Sequence, residues 1–221
     1  MSEIEELLKP FISRQFGPEV VDKEARLAEF KRLAPGILPA DYEEFLRRFE
    51  RCVDLEENHV WAIDPPRPRQ EGVFTYIGPN PPMDILYGLQ EDHYDVFEAF
   101  SMYANQIPPG LIAIGCDMMG NQICMDISGR GPNTVWHWFH EGEESFDENG
   151  APGYANMFRL AENFTGLLRR LRHGEYDDPA AVKPRELRPG EAKICYIAPG
   201  VEEEIREWRE KHEREAEGNK E

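Results

Sequence analysis

Three consecutive β-rich runs, each closed by turn chemistry, constrain this chain more than any other feature. Leu111-Ile112-Ala113-Ile114-Gly115-Cys116 leads into Asp117-Met118-Met119-Gly120-Asn121, and Gln122-Ile123-Cys124-Met125-Asp126-Ile127 follows. Two β-rich runs joined by a few Asp, Gly and Asn residues predict a β-hairpin. Ser128 to Asn133 is a second turn, and Thr134-Val135-Trp136-His137-Trp138-Phe139-His140 is a third strand. The centre of the chain is therefore expected to be an antiparallel meander. Alternation places Trp136 and Trp138 on one face, which is expected to be core rather than an exposed aromatic patch.

Helical periodicity flanks this centre. Ser2 to Phe16 reads as an amphipathic helix through Ile4, Leu7, Leu8, Phe11 and Ile12, ended by Gly17-Pro18. A second helix is predicted over Val21 to Leu33, burying Leu27, Phe30 and Val20, and ended by Pro35-Gly36. Pro39 suits the first turn of a third, where its missing N–H is no loss. Tyr42, Phe45, Leu46 and Phe49 form its apolar stripe, with acids early and arginines late, as the helix dipole prefers. Val60-Trp61-Ala62-Ile63 and Gly72 to Ile77 read as strands broken by Pro65-Pro66 and Gly78-Pro79. Helices are expected over Asp92 to Asn105 and Asn156 to Arg172, the latter with Met157, Leu160, Ala161, Phe164, Leu167, Leu168 and Leu171 on one face. The organisation read from this is an N-terminal helix at 1–19, a main domain at 20–173 and a Pro-rich connection at 174–200 with a strand candidate at Lys193 to Ala198. A charged helix at 201–221 follows, whose stripe of Val201, Ile205 and Trp208 is too thin for a core helix.

Charge is segregated along the chain. The net charge is −18, and between Gln70 and Phe158 thirteen acids face one base, Arg130. Lys and Arg, which nucleic-acid binders concentrate to neutralise phosphates, are scarce where the sheet is expected. Nucleic acid and anionic membrane surfaces are thus disfavoured, and a basic protein is favoured. Two clusters stand out as candidate partner-binding residues. Glu91, Asp92, Asp95 and Glu98 lie at helical spacing, and Glu141, Glu143, Glu144, Asp147 and Glu148 lie in a loop after the third strand. Loops on a rigid scaffold often carry binding, although a solvated, solubilising surface has the same composition.

Reactive chemistry finds little support. Cys52, Cys116, Cys124 and Cys195 lack C-x-x-C spacing and are too few for a disulfide scaffold, so buried thiols in a reducing compartment are expected. His137 and His140, three apart on a strand, point to opposite faces and do not readily share a metal. Asp117 to Asn121 lacks the later bidentate Glu of a calcium loop. No G-x-S-x-G occurs, and Gly129-Arg130-Gly131 lacks the Lys-Ser/Thr of a phosphate loop. No catalytic residue, metal or cofactor is assigned. The N-terminus carries Glu3, Glu5 and Glu6 where a signal peptide needs positive charge, and no run approaches ~20 apolar residues. A cytoplasmic protein is expected.

The order helix, strands, hairpin, strand and closing helix resembles the SMI1/KNR4, or SUKH, superfamily over roughly residues 20–172. The first motif is carried by Leu38, Pro39, Asp41, Tyr42, Phe45 and Leu46. The second is carried by Ile112, Ala113, Gly120, Asn121, Ile123 and Asp126, followed by Val135, Phe164, Leu167 and Leu168. Where the family often has a Gly pair after the first-motif helix, this chain has Glu50-Arg51-Cys52. The resemblance implies an α+β fold, a curved antiparallel sheet packed by helices, here with a C-terminal helical extension. It also implies a binding role rather than an enzymatic one. Bacterial members of the family serve as immunity proteins against toxins, and a fungal relative serves as a regulatory scaffold in cell-wall signalling. The function expected is an immunity-type inhibitor of a basic, nuclease-like toxin domain. The alternatives are a regulatory scaffold with several partners and an unrecognised hydrolase, and the oligomeric state is left open.

Overall fold

Ser2 opens the chain with a reciprocal cap. Its hydroxyl accepts from the Glu5 N–H, and the Glu5 carboxylate accepts from the Ser2 N–H, which starts α1 (Glu3–Leu8). Pro10 lacks the N–H that a further turn would need, and Ile12–Phe16 instead forms strand β1. The single helix expected over Ser2 to Phe16 is therefore a helix followed by a strand. Asp22 accepts from the Ala25 N–H at 2.9 Å and starts α2 (Lys23–Leu33). Pro39 occupies the N-cap of α3 (Ala40–Phe49), whose Tyr42, Phe45, Leu46 and Phe49 are all buried, as the sequence stripe requires. The computed structural model describes residues 2–60, 81–140, 150, 152–154 and 156–173, with backbone alone at 56–59.

The remaining elements are β2 (Cys52–Val60), β3 (Pro82–Leu86), α4 (Val96–Tyr103), β4 (Leu111–Cys116) and β5 (Gln122–Asp126). They are followed by β6 (Val135–Trp138), β7 (Met157–Ala161), α5 (Phe164–Leu168) and β8 (Leu171–His173). The fold is α+β. Strands run in the order β1-β2-β3-β4-β5-β6-β7 as one open antiparallel sheet, and β8 pairs with the end of β2. The predicted meander is present as β4-β5-β6, with Ile112 opposite Met125 and Cys124 opposite Trp136. Register shifts interrupt the β1-β2, β2-β3, β4-β5 and β6-β7 ladders, and such bulges bend and twist a sheet.

Two further expectations are corrected. The helix expected from Asn156 to Arg172 is a strand, a short helix and a strand. Met157 pairs with Trp138 across the β6-β7 ladder, and Asn163 then accepts from the Gly166 N–H at 2.7 Å to start α5. Pairing with the open edge of β6 overrides the local helical period. The helix expected from Asp92 begins only at Val96. Val60 ends β2, whereas the strand at Gly72 to Ile77, the strand candidate at Lys193 to Ala198 and the charged C-terminal helix lie outside the described residues.

The core sits between the sheet and α3. Tyr42 and Phe45 stack at 5.9 Å, and Phe164 of α5 meets them at 5.1 and 5.2 Å. Each side chain this size contributes about 1.5–3 kcal/mol on full burial. Asp41 fixes the pairing of these helices, because its carboxylate accepts from both the N–H and the hydroxyl of Thr165, each at 2.9 Å. The first family motif thus clamps α3 onto the start of α5. Trp138 is buried in the core, and Trp136 is half-buried against Tyr154 at 5.4 Å. Among the described residues, no helix is long and apolar enough to cross a membrane.

Candidate functional site

The turn between β3 and α4 is built around Gly88. A Cβ there would collide with the backbone of Arg51 and Cys52, so only glycine lets the chain pass so close to the start of β2. Its N–H donates to the Tyr94 carbonyl at 3.3 Å, and its carbonyl accepts from the Val96 N–H at 2.9 Å. Gln90, almost wholly buried, donates its amide to the carbonyls of His93 and Tyr94. These bonds hold Tyr94 at a φ of +67°. A bulky residue in that region costs on the order of 1–3 kcal/mol, which persists only where the surroundings over-determine it.

This turn carries the first acidic cluster, which is not the helix face that its spacing implied. Glu91 and Asp92 are exposed on the turn, and Asp92 accepts from the His93 N–H. Asp95 is buried and caps α4 by accepting from the Glu98 N–H at 2.6 Å. Burial raises the Asp95 carboxyl above its ordinary range, against the opposing pull of that backbone bond and of Arg26. Glu98 alone lies on the helix, with its carboxylate 3.5 Å from His93 Nδ1. The second cluster, Glu141, Glu143, Glu144, Asp147 and Glu148, lies outside the described residues.

Cations of the N-terminal helices are largely committed to acids of those same helices. Arg47 bridges Glu24 and Glu43, Lys31 reaches Glu43, Lys23 reaches Glu50, and Arg48 lies between Glu5 and Glu44. Arg26 pairs with Glu29 of its own helix at 3.4 Å and also reaches beyond it. Its guanidinium lies 3.9 Å over the Phe97 ring and within 3.8–3.9 Å of Glu91 and Asp95. It therefore offsets part of the mid-chain charge. Asp84, Asp117 and Asp126 are taken up locally, accepting from the N–H groups of Met118, Asn121 and Ser128.

Beside Glu98 opens a cavity of about 230 Å³ lined by Tyr87, His93, Tyr94, Asp95, Glu98, Ala99, Met102 and Tyr103. Tyr87 is buried and donates its hydroxyl to Gln122 at 2.6 Å. Tyr94 stacks on it at 6.2 Å, and Tyr103 leans edge-on against Trp138 at 5.8 Å. A larger hollow of about 440 Å³ lies between the start of α2 and the Leu89-Gln90-Glu91 segment, with Asp22, Arg26 and Glu29 in its wall.

A second polar constellation is sealed inside. Asp117 accepts from the N–H groups of Met119 and Asn121 and from the Asn121 side chain at 2.8 Å, and it lies 3.2 Å from His137 Nε2. The Asn121 side-chain Oδ1 accepts in turn from His140 Nδ1 at 2.9 Å. Gly120, at a φ of +87°, closes the hairpin that makes this possible. Burial alone would raise the Asp117 carboxyl, but the bonds from His137 and Asn121 outweigh it and hold the group below its ordinary value. His137 is 0% exposed, so this pair meets no substrate and acts as a pin at the hairpin. The two histidines turn to different partners, Asp117 and Asn121. Among the described residues, no three His, Cys, Asp or Glu side chains converge as metal ligands would. Cys52, Cys116 and Cys124 are buried free thiols. Burial pushes Cys116 up to about 11 and drives the other two higher, which keeps all three protonated at neutral pH.

Sequence reasoning found Glu91, Asp92, Asp95 and Glu98 but missed the tyrosines beside them. Tyr87 and Tyr94 carry no local signal, because their meeting depends on the close approach at Gly88. The Asp95-to-Glu98 spacing is that of a helix start and could have located the N-cap.

The family model of SMI1 / KNR4 (SUKH-1) matches residues 23–170. A Bacillus subtilis (strain 168) protein, described as SPbeta prophage-derived uncharacterized protein YokK, is 26% identical over 144 residues. That alignment covers 63% of this chain and 73% of the relative. No solved structure matches the chain.

Proposed function

This chain belongs to the SMI1 / KNR4 family (SUKH-1), and from that premise we propose that it is a non-catalytic, immunity-type binding module of the cytoplasm. It docks on a basic toxin domain, nuclease-like in charge, and occludes its active surface. The observation that carries this reading is the charge of the sheet-centred half. Thirteen acids face one base between Gln70 and Phe158, while the described cations of the flanking helices pair mainly with acids of those same helices. A surface of one sign attracts a partner of the other, speeds encounter and disfavours wrong partners. It also repels nucleic acid and anionic membranes.

Glu91, Asp92 and Glu98, with the segment Glu141, Glu143, Glu144, Asp147 and Glu148, supply the encounter. Asp95 acts through the turn that presents Glu91 and Asp92. Affinity comes from a few well-packed anchors rather than from the charges. Co-expression with the product of an adjacent open reading frame tests the function, with rescue of growth expected. Association measured from low to high salt tests the mechanism, and a rate indifferent to salt removes the electrostatic part.

A further inference from the structure

We propose that the cavity walled by Tyr87, Tyr94 and Tyr103 seats one arginine side chain of the protein partner, its guanidinium lying on the tyrosine rings and paired with Glu98. The inference rests on the reading of this chain as a binder of a basic protein, and it names the feature of the partner that is bound.

Four observations lead to it. The cavity is about 230 Å³, below the ~300–1,000 Å³ usual for small-molecule sites and suited to the end of one long side chain. Its walls are aromatic and its charged groups are Asp95 and Glu98, and no Lys or Arg among the described residues lines it. Guanidinium is the cation that combines stacking on aromatic faces with paired bonding to a carboxylate. Tyr94 is held in the left-handed region and is 43% exposed, its ring over Tyr87 and against the edge of Phe16.

The fourth observation is a precedent within the molecule. Across α4, Arg26 lies 3.9 Å over Phe97 with Asp95 and Glu91 beside it. That is the pairing the cavity offers, filled there by the chain's own arginine. Among the described residues, the Glu98 carboxylate is met by His93 at 3.5 Å, and the His93 side chain is 83% exposed.

The test titrates the ¹⁵N-labelled full chain with N-acetyl-arginine amide, with N-acetyl-lysine amide and with the neutral isostere N-acetyl-citrulline amide. Saturable shifts confined to the amides of Tyr87 and of 93–103 are expected with the arginine probe. Lysine should bind more weakly, and citrulline about tenfold more weakly or worse. Glu98→Gln and Tyr94→Asn should each lose about tenfold in arginine binding while keeping the parent urea midpoint, since Asn tolerates the left-handed backbone. Equal binding of citrulline overturns the proposal. So do shifts that never saturate and spread to Glu24 and Glu43, or folded variants that bind like the parent. A chain that neutralises its basic partner equally well in both variants overturns the cavity's role and leaves the binding module standing. Saturable arginine binding in a chain that protects against no toxin removes the immunity reading and leaves the cavity.

Discussion

Replacing Asp117 by Ala tests how the hairpin is held. Asp117 is 3% exposed and His137 is 0% exposed. The carboxylate receives two backbone N–H groups, the Asn121 amide and His137 Nε2, while His137 Nδ1 is buried with no partner among the described residues. Truncation therefore strands several donors at once, including Nε2–H of a buried histidine whose Nδ1 already lacks a partner. Breaking a buried pair from one side costs about 3–5 kcal/mol, a large share of the ~5–15 kcal/mol that holds a domain together. His137→Phe removes one bond from a carboxylate that keeps three others, and it also removes the orphaned nitrogen. Its cost is about 0–2 kcal/mol. In the double variant no histidine is left stranded, so the two costs should fall short of additivity by about 1–3 kcal/mol. Urea unfolding of the four proteins, with the slope held constant, measures each term. Additivity within about 0.5 kcal/mol, or a loss below about 1 kcal/mol in Asp117→Ala, where a lost hydrogen bond with burial should cost more, would falsify the account of this pair as a pin.

Further outcomes follow from the same geometry. The Asp117 carboxyl is held below its ordinary value in the fold, so its stabilisation is complete above the ordinary carboxylate range and is lost as pH falls through the lower folded value. The urea midpoint should drop more steeply with acid in the parent than in Asp117→Asn. Asp41→Ala removes two bonds to Thr165 across the α3–α5 contact and should cost about 1–3 kcal/mol, read from thermal unfolding, with Thr165→Ala adding little on top. Gly88→Ala pushes a Cβ into the backbone of Arg51 and Cys52 and should destabilise by about 1–3 kcal/mol, with amide exchange at Tyr94 and Val96 accelerated before the core opens. Cys52, Cys116 and Cys124, buried and protonated, should label with a thiol reagent only at the rate of unfolding, followed residue by residue by mass spectrometry. Fast labelling of Cys116 in the native chain would contradict that burial.

What the sequence disclosed was what neighbours along the chain decide. The meander was legible because β4, β5 and β6 join through short turns, so the partner of each strand is the next one along. The stripe of α3 was legible because Tyr42, Phe45, Leu46 and Phe49 share one helical face. The segment from Asn156 to Arg172 was misread because its apolar positions fit a helical period equally well. The decision came from the edge of β6, which offered Trp138 as partner to Met157. Pro10 was the local sign that the first helix is short, and Asn163 was the sign that α5 starts late. The acids of the candidate site could be found as charge, but a sequence does not say which carboxylate caps a helix and which meets solvent. The three tyrosines converge from the residue after β3, the turn and α4, and no pattern within any one of them reveals it.

The clasp between Asp41 and Thr165 joins positions 124 residues apart, and β8 closes on β2 later still. A nascent chain leaving the ribosome has Tyr42 and Phe45 outside long before Phe164 exists to cover them. Maturation of this protein is thus a late event, with its first helices waiting on α5 and β8. Chains that stall or are cut before that point would carry an uncovered aromatic seam, the kind of surface by which protein quality control recognises unfinished work.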